Sequence, residues 1–383
     1  MNSCNKLFDR IDALQQEYIT FWEEFCLIES PTDNKKGVDA AGNYIIEKAK
    51  AFGWKIEKQE QAVAGDCLCI TMNPNAKGAP VCLSGHLDTV HPVGLFGTPA
   101  VKKDNQKIYG PGVADCKGGI VAAFMAMAAL ETEGFTARPI KLILQSDEET
   151  SSAESEKTTV EYMCECARGA VAFLNCEPHV ARTAVLQRKG IAKYTFKITG
   201  KAAHAGNCYD GISAIAEAAH KILELEKYKD KEGITFNCGI VSGGTKINTV
   251  PEQCLFQVDC RFASEVQLSE IKEIIRKTAD TAYIEGTTCE VVLESLRSAM
   301  ELTDTNLQLL EKANAIFKEN QLPILTCRAT GGGSDAAYTT RCGIPTLDSL
   351  GVEFENIHSR SECAVLASLA ESAKRLAVLC CYL

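Results

Sequence analysis

The chain is organised around the stretch from Pro80 to Val90, PVCLSGHLDTV. Val81 to Leu83 form a short apolar run between a proline and a glycine, which is typical of a buried strand. If this strand continues through residue 88, His86 and Asp88 point to the same face, because side chains alternate along a strand. Asp88 could then accept a hydrogen bond from one imidazole nitrogen and leave the other nitrogen free for a metal. The alternative is a histidine that only satisfies a polar contact in the core.

Outward from this strand, apolar strands alternate with helices. The pattern predicts helices at Leu7–Ile28, Val38–Phe52 and Gly118–Leu130, and strands at Cys67–Met72, Val81–Leu83, Ile140–Gln145 and Ala170–Asn175. Continuous apolar strands separated by helices favour an α/β fold with a mixed, mostly parallel sheet that is covered by helices. The polar stretch from Glu148 to Thr159 is predicted to be an exposed loop.

From about Lys189 the predicted order changes to strand, helix, strand, strand, helix, strand. This order is typical of a split β-α-β unit, an open-faced sheet with two helices on one side. After Ser298 the α/β rhythm resumes. We therefore predict a discontinuous domain at 1–188 and 297–383, and an inserted α+β domain at 189–296.

Bulk composition excludes several classes of protein. With 383 residues the chain is longer than one core usually supports, and its net charge of -10 provides no basic surface for nucleic acid or anionic lipid. The longest apolar run, Ile120 to Leu130, is too short to span a bilayer. Nineteen cysteines in a chain of this length, without an apolar leader, predict reduced thiols in the cytoplasm.

Acidic residues and a second histidine follow the predicted strands. They are Asp115 in a glycine-rich turn, Glu148 and Glu149, Glu177, and His358 late in the chain. Each alone could be a helix cap, a solvated acid or a structural histidine. Because α/β sheets place their sites at the carboxyl ends of strands, these side chains are expected to converge. Mixed nitrogen and oxygen donors in this number suit a pair of zinc ions bridged by one carboxylate.

Six motifs resemble, in order, those of the M20 family of zinc peptidases and deacylases. They are GHLDT at 85–89, GPGVADCKGG at 110–119, DEE at 147–149, EP at 177–178, GKAAHAG at 200–206 and GGGSDAA at 331–337. The resemblance runs from about residue 10 to the end and is closest to the glutamate carboxypeptidase (carboxypeptidase G2) branch.

The resemblance implies five ligands for two zinc ions, with cobalt or manganese as alternative metals. His86 and Glu177 would hold one ion, Glu149 and His358 the other, and Asp115 would bridge both and precede a cis peptide bond to Cys116. Beside Asp115, the thiol of Cys116 is expected to be sensitive to oxidation.

The resemblance also implies that the domain at 1–188 and 297–383 is catalytic and that the inserted domain at 189–296 serves as lid and dimerisation domain, and it implies catalytic and substrate-binding residues. Glu148 would be the general base, Asp88 would orient His86, and His204 would cross the interface of a homodimer to stabilise the oxyanion in the partner's site. The substrate would be contacted by Asn248, Arg261, Gly332, Gly333 and Ser334. Arg261 suits a bidentate grip on a carboxylate, and free amides at the glycine-rich loop favour an anion.

We therefore expect a two-metal hydrolase that cleaves an amide or peptide bond next to a free carboxylate in a small peptide or N-acyl-amino acid. An acetylornithine or succinyl-diaminopimelate deacylase is the near alternative, and a non-catalytic metal-binding protein on the same fold is the alternative from another class. One departure concerns the pocket: where the carboxypeptidase branch often has a lysine after its Glu-Pro motif, this chain has Arg182 after a shorter loop.

Overall fold

The computed structural model describes residues 2–230 and 233–383. The chain divides into two compact units. Unit 1 comprises Met1–Leu186, Leu302–Ala329 and Ser334–Leu383, and unit 2 comprises Gln187–Glu301 and Thr330–Gly333. Both units mix helices with sheets, which confirms the predicted α/β fold class.

The described residues form nine α-helices and two 3-10 turns, the latter at Glu148–Thr150 and Ala205–Asp210. The helices are α1 (Asn2–Leu27), α2 (Lys35–Ala51), α3 (Lys117–Thr132), α4 (Thr158–Cys166), α5 (Ala214–Glu226), α6 (Glu265–Asp280), α7 (Asp304–Glu319), α8 (Ala336–Arg341) and α9 (Leu366–Tyr382).

The strands vary in length from two residues to ten. They are β1 (Lys55–Gln59), β2 (Cys67–Met72), β3 (Val81–His86), β4 (Lys102–Lys103), β5 (Lys107–Tyr109), β6 (Ile140–Gln145), β7 (Ala172–Asn175), β8 (Thr183–Arg188), β9 (Gly190–Thr199), β10 (Ala203–His204), β11 (Thr235–Gly243), β12 (Thr249–Val250), β13 (Gln253–Phe262), β14 (Thr288–Arg297), β15 (Thr326–Thr330), β16 (Thr346–Leu347), β17 (Phe354–Glu355) and β18 (Cys363–Val365).

The main sheet of unit 1 has six strands in the order β1-β2-β6-β3-β7-β16. β3 pairs in parallel with β6 and with β7, and β7 pairs in parallel with β16. Both faces are covered, because Leu68 and Ile70 of β2 enter the same hydrophobic cluster as α3, whereas Cys69 packs with Val160 and Met163 of α4. Since β6, β3 and β7 run in one direction, their carboxyl ends meet at one edge of the sheet.

A smaller antiparallel sheet of unit 1, in the order β17-β18-β5-β4, joins two distant segments of the chain. β18 pairs with β5, with Cys363 opposite Tyr109. The residues after β5 lead into the turn that holds Asp115, and the loop before β18 holds His358. The pairing therefore anchors both segments side by side.

Unit 2 is built on a four-stranded antiparallel sheet in the order β11-β13-β9-β14, together with helices α5 and α6. Alternate residues of β13 are buried, namely Cys254, Phe256, Val258, Cys260 and Phe262. They form one hydrophobic cluster with residues of both helices. Because the intervening residues of β13 are more exposed, the sheet is open-faced, as the sequence predicted.

A buried ion pair fastens the end of α6 in unit 2. Lys221 and Glu217 are separated by one helical turn of α5, and both side chains are almost fully buried. The Lys221 ammonium donates to the carbonyl oxygens of Thr278 at 2.7 Å and Thr281 at 2.6 Å. Glu217 accepts the amide of Ile284 at 2.7 Å. The pair therefore satisfies backbone groups at and beyond the end of α6 that a helix end leaves without partners.

Replacing Lys221 with Met is expected to lower the free energy of unfolding of unit 2 by about 3–5 kcal/mol, because the charge of Glu217 then stays buried without its partner. Urea denaturation followed by circular dichroism measures this loss. Lys272→Met, at an exposed position of α6, is the matched control and should stay within about 0.5 kcal/mol of wild type. Equal stability of the two variants would contradict the structural role of Lys221.

One condition considered for the sequence is not met, and one local prediction was wrong. β3 ends at His86 instead of continuing through residue 88. The segment from Glu148 to Thr159 is not an exposed loop, because Glu148, Ser152, Ser155 and Thr159 are buried and α4 begins at Thr158. The physical reason lies just before this segment, where the buried carboxylate of Asp147 accepts hydrogen bonds from the amide of Ser155 and the hydroxyl of Thr159.

Among the described residues, no helix is both long enough and apolar enough to cross a membrane.

Candidate metal centre

The carboxyl ends of three parallel strands bring the predicted metal ligands of unit 1 together. His86 is the last residue of β3, Glu148 and Glu149 follow β6, and Glu177 follows β7. The register places His86 beside Gln145, the last residue of β6. The sheet topology thus explains why residues far apart in the sequence share one edge.

Asp115 is at the centre of this group, and each of its carboxylate oxygens faces a different histidine. The distance from Oδ1 to Nε2 of His86 is 2.9 Å, and that from Oδ2 to Nε2 of His358 is 3.2 Å. His86 Nε2 also lies 3.7 Å from Oε1 of Glu177, and His358 Nε2 lies 3.4 Å from Oε2 of Glu149. The five side chains therefore form two half-sites that share Asp115.

The backbone around Asp115 is held by two residues that the sequence analysis missed. The buried carboxylate of Glu362 accepts the amides of Ala114 at 3.0 Å and Asp115 at 3.2 Å through Oε1. Its other oxygen lies 2.6 Å from Nε2 of His91. The only sequence signal was the position of His91, two residues after the GHLDT stretch, because Glu362 lies 271 positions away from it. The peptide bond between Asp115 and Cys116 is cis, as the resemblance implied.

Asp88 connects the histidine to the acidic segment after β6. Nδ1 of His86 lies 3.0 Å from the backbone oxygen of Asp88 and 3.3 Å from its Oδ1. The same carboxylate accepts the amides of Glu148 at 3.2 Å and Glu149 at 3.1 Å, and the hydroxyl of Thr32 at 2.8 Å. Although β3 has already ended, Asp88 is fully buried. It thereby fixes the His86 ring and the backbone of both glutamates at once.

Replacing Asp88 with Asn is expected to weaken metal binding about 10- to 100-fold, the usual cost of losing a partner that orients a ligand. The amide keeps the volume of the carboxylate but presents a single acceptor oxygen where two oxygens accept backbone amides now. Metal affinity can be measured by competition with a chromophoric chelator. Asp33→Asn, one residue after Thr32, is the control. Unchanged metal affinity in Asp88→Asn would remove the orienting role.

The charges of the group fit divalent cations. Burial, together with the charge of Asp115, raises the pKa of Glu149 to about 8. Oε1 of Glu149 is buried and has no hydrogen-bond partner among the described residues. Hydrogen bonds to Asp115 and Glu149 raise the pKa of His358 to about 11, so that a cation would displace its proton. A bound cation would offset the repulsion between the clustered carboxylates and would give the unpartnered buried oxygen a partner.

The spacing of the donor atoms also fits zinc. Ligand atoms of a tetrahedral zinc site, each about 2.0–2.2 Å from the ion, are roughly 3.3–3.6 Å apart. The distances within the half-sites, 3.7 Å between His86 and Glu177 and 3.4 Å between His358 and Glu149, are close to this range. Metal-ligating atoms of His86, Asp115 and Glu149 all lie within 4.8 Å of one another.

Cys116 also lies near His86 and Glu177. Its thiol is fully buried and donates to the backbone oxygen of Cys176 at 3.2 Å. Burial and the charge of Glu177 raise the pKa of this thiol well above its usual range. A protonated, inaccessible thiol is a poor ligand and a poor target for oxidants. The structure therefore argues against the expected oxidation sensitivity of Cys116.

The predicted oxyanion residue, His204, lies in unit 2 and is exposed. It is in the short strand β10, opposite Thr249 of β12, and its Nδ1 accepts the amide of Gly206 at 3.1 Å. The backbone oxygen of Asn248 accepts the amide of Ala205 at 3.0 Å. Unit 2 therefore holds His204 and Asn248 close together, with both side chains exposed.

Arginines of unit 2 surround the glycine-rich loop. Arg261 forms a salt bridge with Asp259, and its Nε donates to Oδ1 of Asp259 at 2.6 Å. Nη1 of Arg261 donates to the backbone oxygen of Gly331 at 3.3 Å. Arg188, which the sequence analysis missed, donates to the backbone oxygens of Gly332 and Gly333. Since Asp259 already occupies part of the Arg261 fork, this arginine is less free for a ligand carboxylate than the sequence suggested.

Ser334 lies in unit 1 and is fully buried. Its hydroxyl donates to Oδ2 of Asp348 at 2.8 Å and accepts from Nδ2 of Asn175 at 3.1 Å. Because Asn175 ends β7, this contact ties the start of α8 to the edge of the sheet that carries Glu177. The described hydrogen bonds of Ser334 are structural.

Known proteins share both the sequence and the fold of this chain. Residues 82–381 match the model of the peptidase family M20/M25/M40. Carboxypeptidase G2 from Pseudomonas sp. is 29% identical over 362 residues, which cover 93% of this chain and 86% of that protein. A putative succinyl-diaminopimelate desuccinylase from Mycobacterium tuberculosis is 27% identical over 249 residues, covering 62% of this chain and 66% of that protein.

The fold of a tripeptidase from Staphylococcus aureus superposes with a TM-score of 0.80 at 24% identity, and covers 96% of this chain and 98% of that one. An aminopeptidase from Bacillus cereus gives a TM-score of 0.77 at 22% identity, over 95% of this chain and 97% of that one. The family match extends over most of the chain and includes every residue of the shared half-sites at Asp115. The chain is a member of the peptidase family M20/M25/M40, a family of metal-dependent hydrolases.

Proposed function

We propose that this protein is a two-metal hydrolase that releases a C-terminal amino acid from a small peptide or an N-acyl-amino acid. The observation that carries the proposal is the pair of half-sites that share Asp115. His86 and Glu177 would hold one divalent ion, His358 and Glu149 the other, with zinc as the first choice and cobalt or manganese as alternatives. Ions bound there would supply Lewis acidity to the scissile carbonyl and to the attacking water.

The protein's own residues would handle the proton and the substrate. Glu148 would take the proton of the attacking water and return it to the leaving nitrogen. Its backbone amide is fixed by Asp88, the residue that also orients His86. This shared contact with Asp88 would hold Glu148, the proposed base, in a fixed position relative to the proposed metal ligands.

The substrate would be recognised by residues of unit 2. Arg261, Asn248 and the amides of Gly332 and Gly333 would contact the free carboxylate of the substrate, with Arg188 supporting the loop from behind. His204 would donate to the oxyanion in the active site of a partner subunit. The exposed positions of His204 and Asn248 are compatible with this role.

The bounds of unit 2 are close to those of the predicted domain at 189–296. Unit 2 would serve as the lid and would form the contact surface of a homodimer. Its sheet ends in β11 on one edge, where Ile240 is 56% exposed and Val241 is 61% exposed. Exposed apolar residues on an edge strand are typical of a surface that pairs with another chain. The nineteen cysteines of the sequence favour a reducing compartment such as the cytoplasm.

One experiment separates the candidate functions. Elemental analysis gives the metal content per chain, and the same preparation is tested on dipeptides, N-acyl-amino acids, acetylornithine and succinyl-diaminopimelate, with and without a chelator. We expect two metal ions per chain and chelator-sensitive release of an amino acid from the dipeptides or N-acyl-amino acids. Preference for succinyl-diaminopimelate would instead favour the deacylase suggested by the Mycobacterium tuberculosis relative. Two metal ions without hydrolysis of any substrate would favour a non-catalytic metal-binding protein.

A further inference from the structure

The loop between β17 and β18, residues 356–361, carries His358. Asn356 and His358 have φ angles of 58° and 59°, a left-handed conformation that residues other than glycine adopt only where their surroundings hold them. Ile357 packs against the core. Among the described residues, the hydrogen bonds of this loop outside the His358 imidazole stay within the loop or reach Glu362. The position of His358, whose side chain is 53% exposed, therefore depends on what fixes the end of its loop.

Glu362 joins the end of this loop to the turn that holds Asp115. Its backbone oxygen accepts the amide of Gly110, before Asp115, at 3.3 Å. Oε1 of its carboxylate accepts the amides of Ala114 at 3.0 Å and Asp115 at 3.2 Å, although the two segments are 247 positions apart. A single residue therefore sets the spacing between Asp115 and the loop that carries His358.

His91 in turn fixes the carboxylate of Glu362. Nε2 of His91 lies 2.6 Å from Oε2 of Glu362, and the two residues are only 3% and 1% exposed. The imidazole ring packs edge-on against Phe96, with ring centroids 5.0 Å apart. A short hydrogen bond to a carboxylate is strong, and losing it would leave a buried acceptor oxygen without a partner. His91 thus holds the carboxylate in the orientation that reaches the amides before and at Asp115.

The half-site of His86 has supports that do not involve Glu362. His86 is the last residue of β3, which pairs with β6 on one side and with β7 on the other. The turn of Asp115 has an additional anchor, because the indole of Trp22 donates to the backbone oxygen of Val113 at 2.9 Å. Loss of the contact between His91 and Glu362 should therefore release His358 more than His86.

We propose that His91 and Glu362 form a clamp that positions His358 against Asp115, so that the ion at the half-site of His358 and Glu149 depends on His91. Both are positioning residues, because Glu362 acts through backbone groups and His91 acts through Glu362. The inference rests on the proposed pair of metal ions. One of its consequences, an ordered His358 loop, does not require a metal.

Cobalt titration of the metal-free protein tests the clamp. Visible absorption follows the binding of Co²⁺, and competition with a chelator gives the affinity of each binding step. His91→Phe keeps a ring beside Phe96 but removes the donor, and we expect it to weaken one step about 10- to 100-fold while the other keeps its wild-type affinity. His91→Gln provides an N–H donor again and should recover most of the lost affinity. His220→Phe, at an exposed ring that stacks on Tyr283 in unit 2, is the matched control and should match wild type in both steps.

His358→Ala shows which half-site is weakened. This variant lacks the proposed ligand of one half-site and should bind one ion. Because the clamp acts on His358, adding His91→Phe to His358→Ala should leave the remaining affinity unchanged. A further loss in the double variant would overturn the proposal. So would equal weakening of both steps in His91→Phe, no weakening at all, or failure of His91→Gln to recover the affinity.

Limited digestion with trypsin supplies a readout that needs no metal. Arg360 is exposed in the loop, and the bond after it should be cut faster in metal-free His91→Phe than in metal-free wild type. His220→Phe should be cut there at the wild-type rate, and circular dichroism confirms beforehand that each variant is folded. A wild-type protein that binds no cobalt but shows this difference in cleavage would refute the proposed function and support the clamp on the loop. A wild-type protein that binds two ions, with His91→Phe unchanged in cleavage and in affinity, would refute the clamp alone.

Discussion

Glu148→Gln is expected to lower kcat about 10²- to 10⁴-fold while the metal content per chain stays unchanged. The substitution keeps the size and the hydrogen-bonding amide of the residue but removes the basic oxygen that would accept the proton of the attacking water. The metal content should persist, because the substitution leaves the proposed ligands unchanged, namely His86, Asp115, Glu149, Glu177 and His358. Steady-state hydrolysis and elemental analysis on the same preparation measure both quantities.

The matched control for this variant is Glu156→Gln. Glu156 lies in the same acidic segment but is exposed, and it should retain wild-type activity. If Glu148→Gln hydrolyses substrate at the wild-type rate, Glu148 is not the base. If it loses metal along with activity, the residue acts on the metal centre, and its proposed role as a proton acceptor is wrong.

Asp115→Asn is expected to remove metal from both half-sites and to lower activity by more than the 10- to 100-fold that loss of an outer-shell partner costs. One carboxylate presents an oxygen to His86 and an oxygen to His358, whereas an amide offers one oxygen and a nitrogen that cannot ligate. Neighbouring histidines lower the pKa of Asp115, so it is anionic at neutral pH and its charge is lost in the variant.

Metal content per chain and hydrolysis at saturating metal measure the effect of Asp115→Asn. Asp9→Asn, an exposed position in α1, is the control and should keep two ions and full activity. Retention of both ions in Asp115→Asn would show that the two half-sites do not depend on a shared carboxylate. Rescue of activity by excess metal would show that only affinity was lost.

The sequence predicts best those strands and helices whose bounds are set by their own residues. β2 and β6 have the predicted bounds, because each is an apolar run with turn residues at its ends. α4 was missed because the segment before it is polar. The burial of that polar segment depends on the carboxylate of Asp147, which accepts a hydrogen bond from the amide of Ser155. Hydrophobic periodicity does not reveal such a contact.

The site shows the same division between local and tertiary information. The candidate ligands could be named because each follows an apolar strand, and the parallel topology brings strand ends together. Glu362 and Arg188 could not be named, since they act through backbone groups of residues far away in the chain. Nor did the sequence around Arg261 reveal that Asp259, two positions away, holds the guanidinium of Arg261.

The carboxylate of Asp88 constrains how such an enzyme can diversify. It contacts His86, Glu148 and Glu149 together, so that a substitution at position 88 would disturb the proposed metal ligands and the proposed base at the same time. Mutational tolerance at this edge of the sheet should therefore be low. The side chains of His204 and Asn248 are exposed, so we expect substitutions there to be tolerated and new substrate preferences to arise in unit 2, while the proposed hydrolytic residues of unit 1 stay unchanged.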